Sequence, residues 1–145
     1  MRALIQRVTQ ASVSVGDDIV GRIDQGLLAL IGVAADDDHA RADRLLHKLL
    51  HYRVFAGDDG RMNRNLQQAD GGLLLVSQFT LVAATDKGLR PSFSSAAPPD
   101  HGRAMFDYLV ERAHAAWSNV ETGSFGADMQ IALINDGPVT FLLET

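Results

Sequence analysis

Cysteine is missing altogether, and that absence alone removes disulfide frameworks, thiolate zinc sites and cysteine nucleophiles. No apolar run reaches the ~20 residues that a membrane-spanning helix requires. A basic excess is lacking too: 13 Lys and Arg stand against 18 Asp and Glu, for a formal net charge of −5. Proteins that coat nucleic acid without regard to sequence rely on many phosphate contacts, so this balance speaks against that class and against a DNA partner. It leaves room for a local patch that grips one RNA end. Six basic residues (Arg41, Arg44, Lys48, Arg53, Arg61, Arg64) crowd one stretch, and Lys87 and Arg90 flank a glycine. A solvated helix face explains the first group as well as RNA does. Also absent are GxGxxG after a strand, GxxxxGK[ST] and HExxH, the usual supports for nucleotide folds and zincins. Met1 to Gln10 holds Arg2 and Arg7 and passes straight into alternation, which is not the pattern of a signal peptide. A cytoplasmic address is expected.

What is present is a chain of 145 residues, 46% hydrophobic and 21% charged, sized for a single domain over 1–145 with a genuine core. Ala3 to Val15 alternates and is rich in β-branched residues, predicting one or two strands. Gly16-Asp17-Asp18 and Asp24-Gln25-Gly26 are turns around a strand at Ile19–Ile23. Leu27 to Val33 is almost wholly apolar, as a strand buried on both faces would be. Asp36-Asp37-Asp38 offers a helix cap, and Ala42, Leu45, Leu46, Leu49 and Leu50 then recur at helical spacing up to Tyr52. A short strand at Arg53–Phe55, a tight turn at Gly57–Gly60 and a buried strand at Leu73–Leu81 follow. The Ala84–Pro99 segment is a long loop of the kind that carries function. A second helix begins near Pro99-Asp100, carries Phe106, Leu109, Val110, Ala113 and Trp117, and ends at Asn119. Strands at Val120–Phe125, Met129–Ile134 and Val139–Leu143 close the chain. The predicted fold is α/β of the α+β kind: mostly antiparallel strands in a sheet or barrel-like core, with two main helices.

Two segments join polar residues to strand ends. Ser77-Gln78-Phe79-Thr80-Leu81 follows a buried strand, where a rigid scaffold can aim side chains at a substrate. Taken alone, Ser77 and Thr80 read better as satisfying backbone groups. Asn135-Asp136-Gly137-Pro138-Val139-Thr140 reads first as a turn between strands. His47 and His51 stand at i, i+4 with no third ligand nearby, and read as surface histidines. His101 and His114 have no nucleophile beside them in sequence.

Together, SQFTL and NDGPVT resemble the paired signature of the D-aminoacyl-tRNA deacylase family. The likeness extends along nearly the whole chain, through Ala3–Val8, Gly26-Leu27-Leu28, Arg90-Pro91-Ser92-Phe93, Gly123–Met129 and Val139-Thr140-Phe141. Leu89 departs from it, where a more polar or flexible residue is expected before Arg90. A related group of deacylases acting on L-amino acids differs in both motifs.

The resemblance implies a homodimeric esterase that strips D-amino acids and glycine from the 3′ end of tRNA, without metal or cofactor. It implies a site between subunits, where Ser77 to Thr80 of one copy bind the aminoacyl group. Gly137-Pro138 of the other reaches in as a cis dipeptide whose carbonyls occupy the space an L side chain needs. Rejection of the wrong hand, rather than grip on the right one, then sets chirality. Phe79 and Thr80 backbone N–H groups are the candidate oxyanion donors, and Gln78 holds substrate. Met129 and Phe79 line the pocket or the adenine region. Thr80 has a hydroxyl but no assigned base, so assistance by the terminal 2′-hydroxyl of the tRNA is preferred to attack by Thr80. Arg7 either bonds the Gly-Pro carbonyls or is an ordinary surface ion pair, while Asn135, Val139 and Thr140 complete the gate segment. The rivals are an editing deacylase for L-amino acids and a non-catalytic RNA-binding module.

Overall fold

The computed structural model describes residues 1–145. The chain opens on β1, Arg2–Val15, a single strand that buries Ala3, Ile5, Val8, Ala11 and Val13. Gly16, in the left-handed region at φ 58°, turns the chain into β2, Asp18–Ile23. The next strand, β3 (Gly26–Gly32), is buried on both faces: Leu27, Ala29 and Ile31 join one core cluster and Leu28 another. This is why its sequence shows no alternation.

Helix α1, His39–His51, starts where expected, with the Asp38 side chain accepting from the Arg41 backbone N–H at 2.8 Å. Its buried stripe is Ala42, Leu45, Leu46, Leu49 and Leu50, the residues the helical spacing singled out. Burying Leu45 or Leu49 fully contributes about 1.5–3 kcal/mol each. After α1 come β4 (Phe55–Ala56) and β5 (Met62–Arg64), a small antiparallel pair of which β5 had no signal in the pattern.

Strand β6, Gly72–Ser77, ends earlier than the predicted Leu81. Phe79–Val82 coils into a 3-10 helix instead, so Phe79 and Leu81 do not continue the sheet. Helix α2, Pro99–Ala116, opens on proline at its first turn and buries Met105, Phe106, Leu109 and Ala113. It stops before Asn119: Trp117 is already extended, and its indole donates to the Gly71 carbonyl at 2.9 Å. β7 is only Val120–Thr122, and β8 spans Gln130 to Glu144.

The main sheet has the order β2-β1-β3-β6-β7, with β8 along the other edge of β1. Its pairs at β1 are antiparallel, whereas β3–β6 and β6–β7 are parallel. The sheet is therefore mixed, because α1 and α2 each lie in a connection that carries the chain back across the sheet. It curls until its edges nearly meet. A Cβ on Gly21 of β2 would lie 2.4 Å from the Thr122 carbonyl of β7. Both helices pack over one face of this barrel-like sheet in a 23-residue cluster, and Val8, Val13, Ile23, Leu74 and Val76 belong to a smaller cluster formed by strands alone. No helix is long and apolar enough to cross a membrane.

Candidate active site

Five consecutive buried residues, Gly72 to Val76, hold β6 rigid up to Ser77, which pairs in register with Ile31 of the parallel β3. The Gln78 N–H donates to the Ile31 carbonyl at 2.7 Å, and the backbone then leaves the strand. In the 3-10 turn that follows, the N–H groups of Phe79 and Thr80 have no intrahelical carbonyl to bond. Ser77 and Gln78 are half-buried, while Phe79 and Thr80 are exposed. Gln78 Nε2 donates to Thr80 Oγ1 at 2.5 Å. Phe79 leans on Phe93 of the long loop, with ring centroids 5.2 Å apart.

Two cavities open on this segment and share Ser77, Gln78, Phe79, Phe125 and Gly126. One, of about 280 Å³, runs under α2 between Ile31, Val33 and Phe106. The other, of about 310 Å³, is bounded by Met129 and Ile131 on β8's side. Neither is lined by an Asp, Glu, His, Lys or Arg. The pocket therefore offers hydrogen bonds, shape and apolar surface, with no side chain in it suited to general acid–base work near neutral pH. The one side-chain hydrogen bond of Thr80 is the one its hydroxyl accepts from the Gln78 amide.

Asn135 to Thr140 departs from the turn its composition predicted. The chain does not reverse there. Thr140 pairs with Gln6 and Asn135 with Val8, so Asp136 to Val139 swell out of β8 opposite the single residue Arg7. Turn-forming residues are used for a wide bulge because β1 is long enough to pair with β8 on both sides of it. The Gly137–Pro138 peptide bond is cis. Asn135 braces the bulge from both ends: its Oδ1 accepts from Val139 N–H at 3.0 Å and its Nδ2 donates to Thr140 Oγ1 at 2.8 Å. Arg7 Nε donates to the Asp136 carbonyl at 3.1 Å and lies 3.2 Å from the Asp136 carboxylate. Arg7 Nη1 donates to the Val54 carbonyl at 2.6 Å. The carbonyls of Gly137 and Pro138 accept nothing from Arg7, which holds the bulge through the residue before them. No residue from 135 to 140 lines either cavity.

The family described as D-Tyr-tRNA(Tyr) deacylase matches residues 4–144. The chain belongs to that family. A D-aminoacyl-tRNA deacylase of Stutzerimonas stutzeri is 64% identical over 145 residues, covering the whole of both chains. One from Chromohalobacter salexigens is 62% identical over the same span. A solved structure described as a c-Myc DNA Unwinding Element Binding Protein has a TM-score of 0.95 at 33% identity, over 100% of this chain and 99% of that one. Another, described as a probable eukaryotic D-amino acid tRNA deacylase, shares the fold with a TM-score of 0.84 at 21% identity, over 99% and 98%. As a deacylase of this family, the chain is a hydrolase of the D-aminoacyl-tRNA ester, with aminoacyl-tRNA as its partner.

Several residues that line the two cavities had no role predicted from sequence. Phe125 and Gly126 fell inside the Gly123–Met129 likeness but carried no role, and Ile31, Val33 and Phe106 looked like core. Of the other residues singled out, His47 and His51 stack at 4.3 Å between centroids on exposed α1 surface. His101 Nε2 bonds the Asp37 carbonyl at 3.0 Å. Leu89 stands fully exposed at a loop tip. In the basic stretch, Arg41 is tied to Asp36 and Asp37, and Lys48 to the Glu144 carbonyl. The Arg41 guanidinium holds the Asp36 carboxyl below its ordinary range, mainly by its hydrogen bond.

Proposed function

We propose that this deacylase clears both D-aminoacyl-tRNA and glycyl-tRNA, and that it refuses L-aminoacyl esters through Gly137-Pro138 of a second copy. The supporting observation is that the cavities lined by Ser77, Gln78 and Phe79 take no residue from the gate segment of the same chain, whose Gly137 and Pro138 bulge from β8 and are exposed. Exposed apolar residues on the same strand, Ile134 and Leu142, offer a homodimer contact beside it. A D side chain points away from the gate backbone and glycine has none to exclude, so both pass. Because the cavities hold no general base, the 2′-hydroxyl of the terminal adenosine assists the attack, and the Phe79 and Thr80 N–H groups receive the developing oxyanion. Gln78, positioned by its bond to Thr80, holds the aminoacyl group, with Met129 and Phe79 as walls. This work belongs to the cytoplasm and to one domain spanning 1–145.

Hydrolysis of matched D-, L- and glycyl-tRNAs tests the gate. Gly137 sits at φ 134°, and a Cβ there would lie 2.7 Å from Val139 Cγ2. Gly137→Ala should therefore displace the gate backbone and erode discrimination between the D and L esters. Discrimination that survives intact in a folded, dimeric Gly137→Ala protein disposes of the gate. A tRNA ending in 2′-deoxyadenosine should be cleaved far more slowly by the unaltered enzyme; equal rates end the substrate-assisted step.

A further inference from the structure

We infer that Arg103 is a phosphate contact for the single-stranded 3′ end of the tRNA, placed at the rim of the pocket to receive the strand as it leaves. The inference rests on the deacylase reading and adds a residue to it. Arg103 lies on the exposed side of α2, one residue after Gly102, which lines the cavity under that helix. Its guanidinium carbon stands 4.6 Å from the centre of the Phe125 ring, and Nη2 donates to the Phe125 carbonyl at 3.4 Å. The same Nη2 is 3.9 Å from where a Cβ on Gly126 would be. Phe125 and Gly126 line both cavities, so the charge sits at their shared edge.

Two carboxylates on its own helix are within helical reach, Asp100 at i−3 and Asp107 at i+4. Arg103 pairs with neither, nor with any other acid. Its guanidinium stands over an aromatic ring on an exposed residue, with one hydrogen bond, to the Phe125 carbonyl. A guanidinium fixed this way keeps the fork geometry that matches phosphate oxygens. An adenosine whose acyl group reaches Ser77–Thr80 must have its 5′ phosphate outside the uncharged cavities, and this rim supplies the cation. The net charge of −5 gives one local, unpaired cation more consequence for a polyanion than it would have on a basic surface.

The test compares D-tyrosyl-tRNA with D-tyrosyl-adenosine, which has the ester and the 2′-hydroxyl but no phosphate. Arg103→Ala should raise KM for the tRNA about three- to tenfold with kcat little changed, the value of one exposed charged contact. The slope of log KM against log salt should fall by about 0.7, as for one lost phosphate on a single strand. KM for D-tyrosyl-adenosine should stay within about twofold, and Arg103→Lys should recover part of the tRNA affinity. Equal damage to both substrates would mean that Arg103 acts by supporting Phe125, and would overturn the inference. So would unchanged KM and salt slope for the tRNA. An unaltered enzyme inactive on both esters would instead overturn the functional reading, and this inference with it.

Discussion

Replacing Arg7 by methionine probes how the gate segment is held. Methionine preserves the unbranched stem in β1 while deleting three polar contacts at once. Arg7 is 14% exposed at its side chain and Asp136 is 45% exposed, so the two ends of the interaction differ in cost. The Val54 carbonyl, part-buried and bonded at 2.6 Å, loses its arginine donor, at about 1–3 kcal/mol. The Asp136 groups can rehydrate, and their contribution, discounted for screening, is about 1 kcal/mol. The sum, about 2–4 kcal/mol, should lower Tm by about 5–15 °C for a chain of this size. The bulge has few other ties, chiefly the Asn135 bonds, so the loss should also appear in function. The ratio of kcat/KM for D over L esters should fall at least about tenfold, the equivalent of roughly 1.4 kcal/mol of misplacement. Arg7→Lys should be intermediate, since an ammonium cannot serve Val54 and Asp136 with the same rigid fork. Differential scanning calorimetry and matched D- and L-aminoacyl-tRNA assays measure both effects. A folded Arg7→Met protein with unaltered Tm and unaltered chiral ratio would refute the view that this side chain positions the gate.

Thr80→Ala should retain kcat/KM within about tenfold of the parent, because the hydroxyl only accepts a bond from Gln78; near-complete loss in a folded variant would restore Thr80 as nucleophile. Asp37, fully buried at its side chain, accepts from the Met1 amine at 2.5 Å, Ala34 N–H at 2.7 Å and Arg41 at 3.2 Å. Asp37→Ala strands these donors and should cost about 3–5 kcal/mol in urea unfolding, and a cost below about 1 kcal/mol would contradict that account. Burial first, and then the negative charge of Asp43, push the Tyr108 phenol above its ordinary pKa. The folded state therefore keeps this proton to higher pH than the unfolded state does. The associated stability is present below about pH 10 and is lost as pH rises through the folded value. Tyr108→Phe should flatten that alkaline decline in urea midpoints, and an unchanged slope would contradict it.

Much of the local architecture was legible. Leu45, Leu49 and their neighbours declared α1, and the apolar runs around Leu28 and Leu74 declared strands buried on two faces. Where prediction failed, a distant partner had overridden a local preference. Phe79 and Leu81 were read as extending the buried strand from Leu73, yet the chain coils at Phe79 and leaves that ring 61% exposed beside Phe93. Asn-Asp-Gly-Pro carries every mark of a reversal and becomes a bulge, because residues of β1 on both sides of Arg7 claim the flanking strand.

Hydrophobic periodicity, capping residues and the two polar motifs were local properties, readable because each depends on residues a few positions apart. The pocket was not. Ile31, Ser77, Phe106 and Phe125 come together only once β3 pairs parallel to β6 and α2 lies across their ends. Likewise, nothing in the order of residues says that Asp136 to Val139 stands outside the cavities that Ser77 to Phe79 line; pairing register across long chain separations decided that, and local preference carries no information about it.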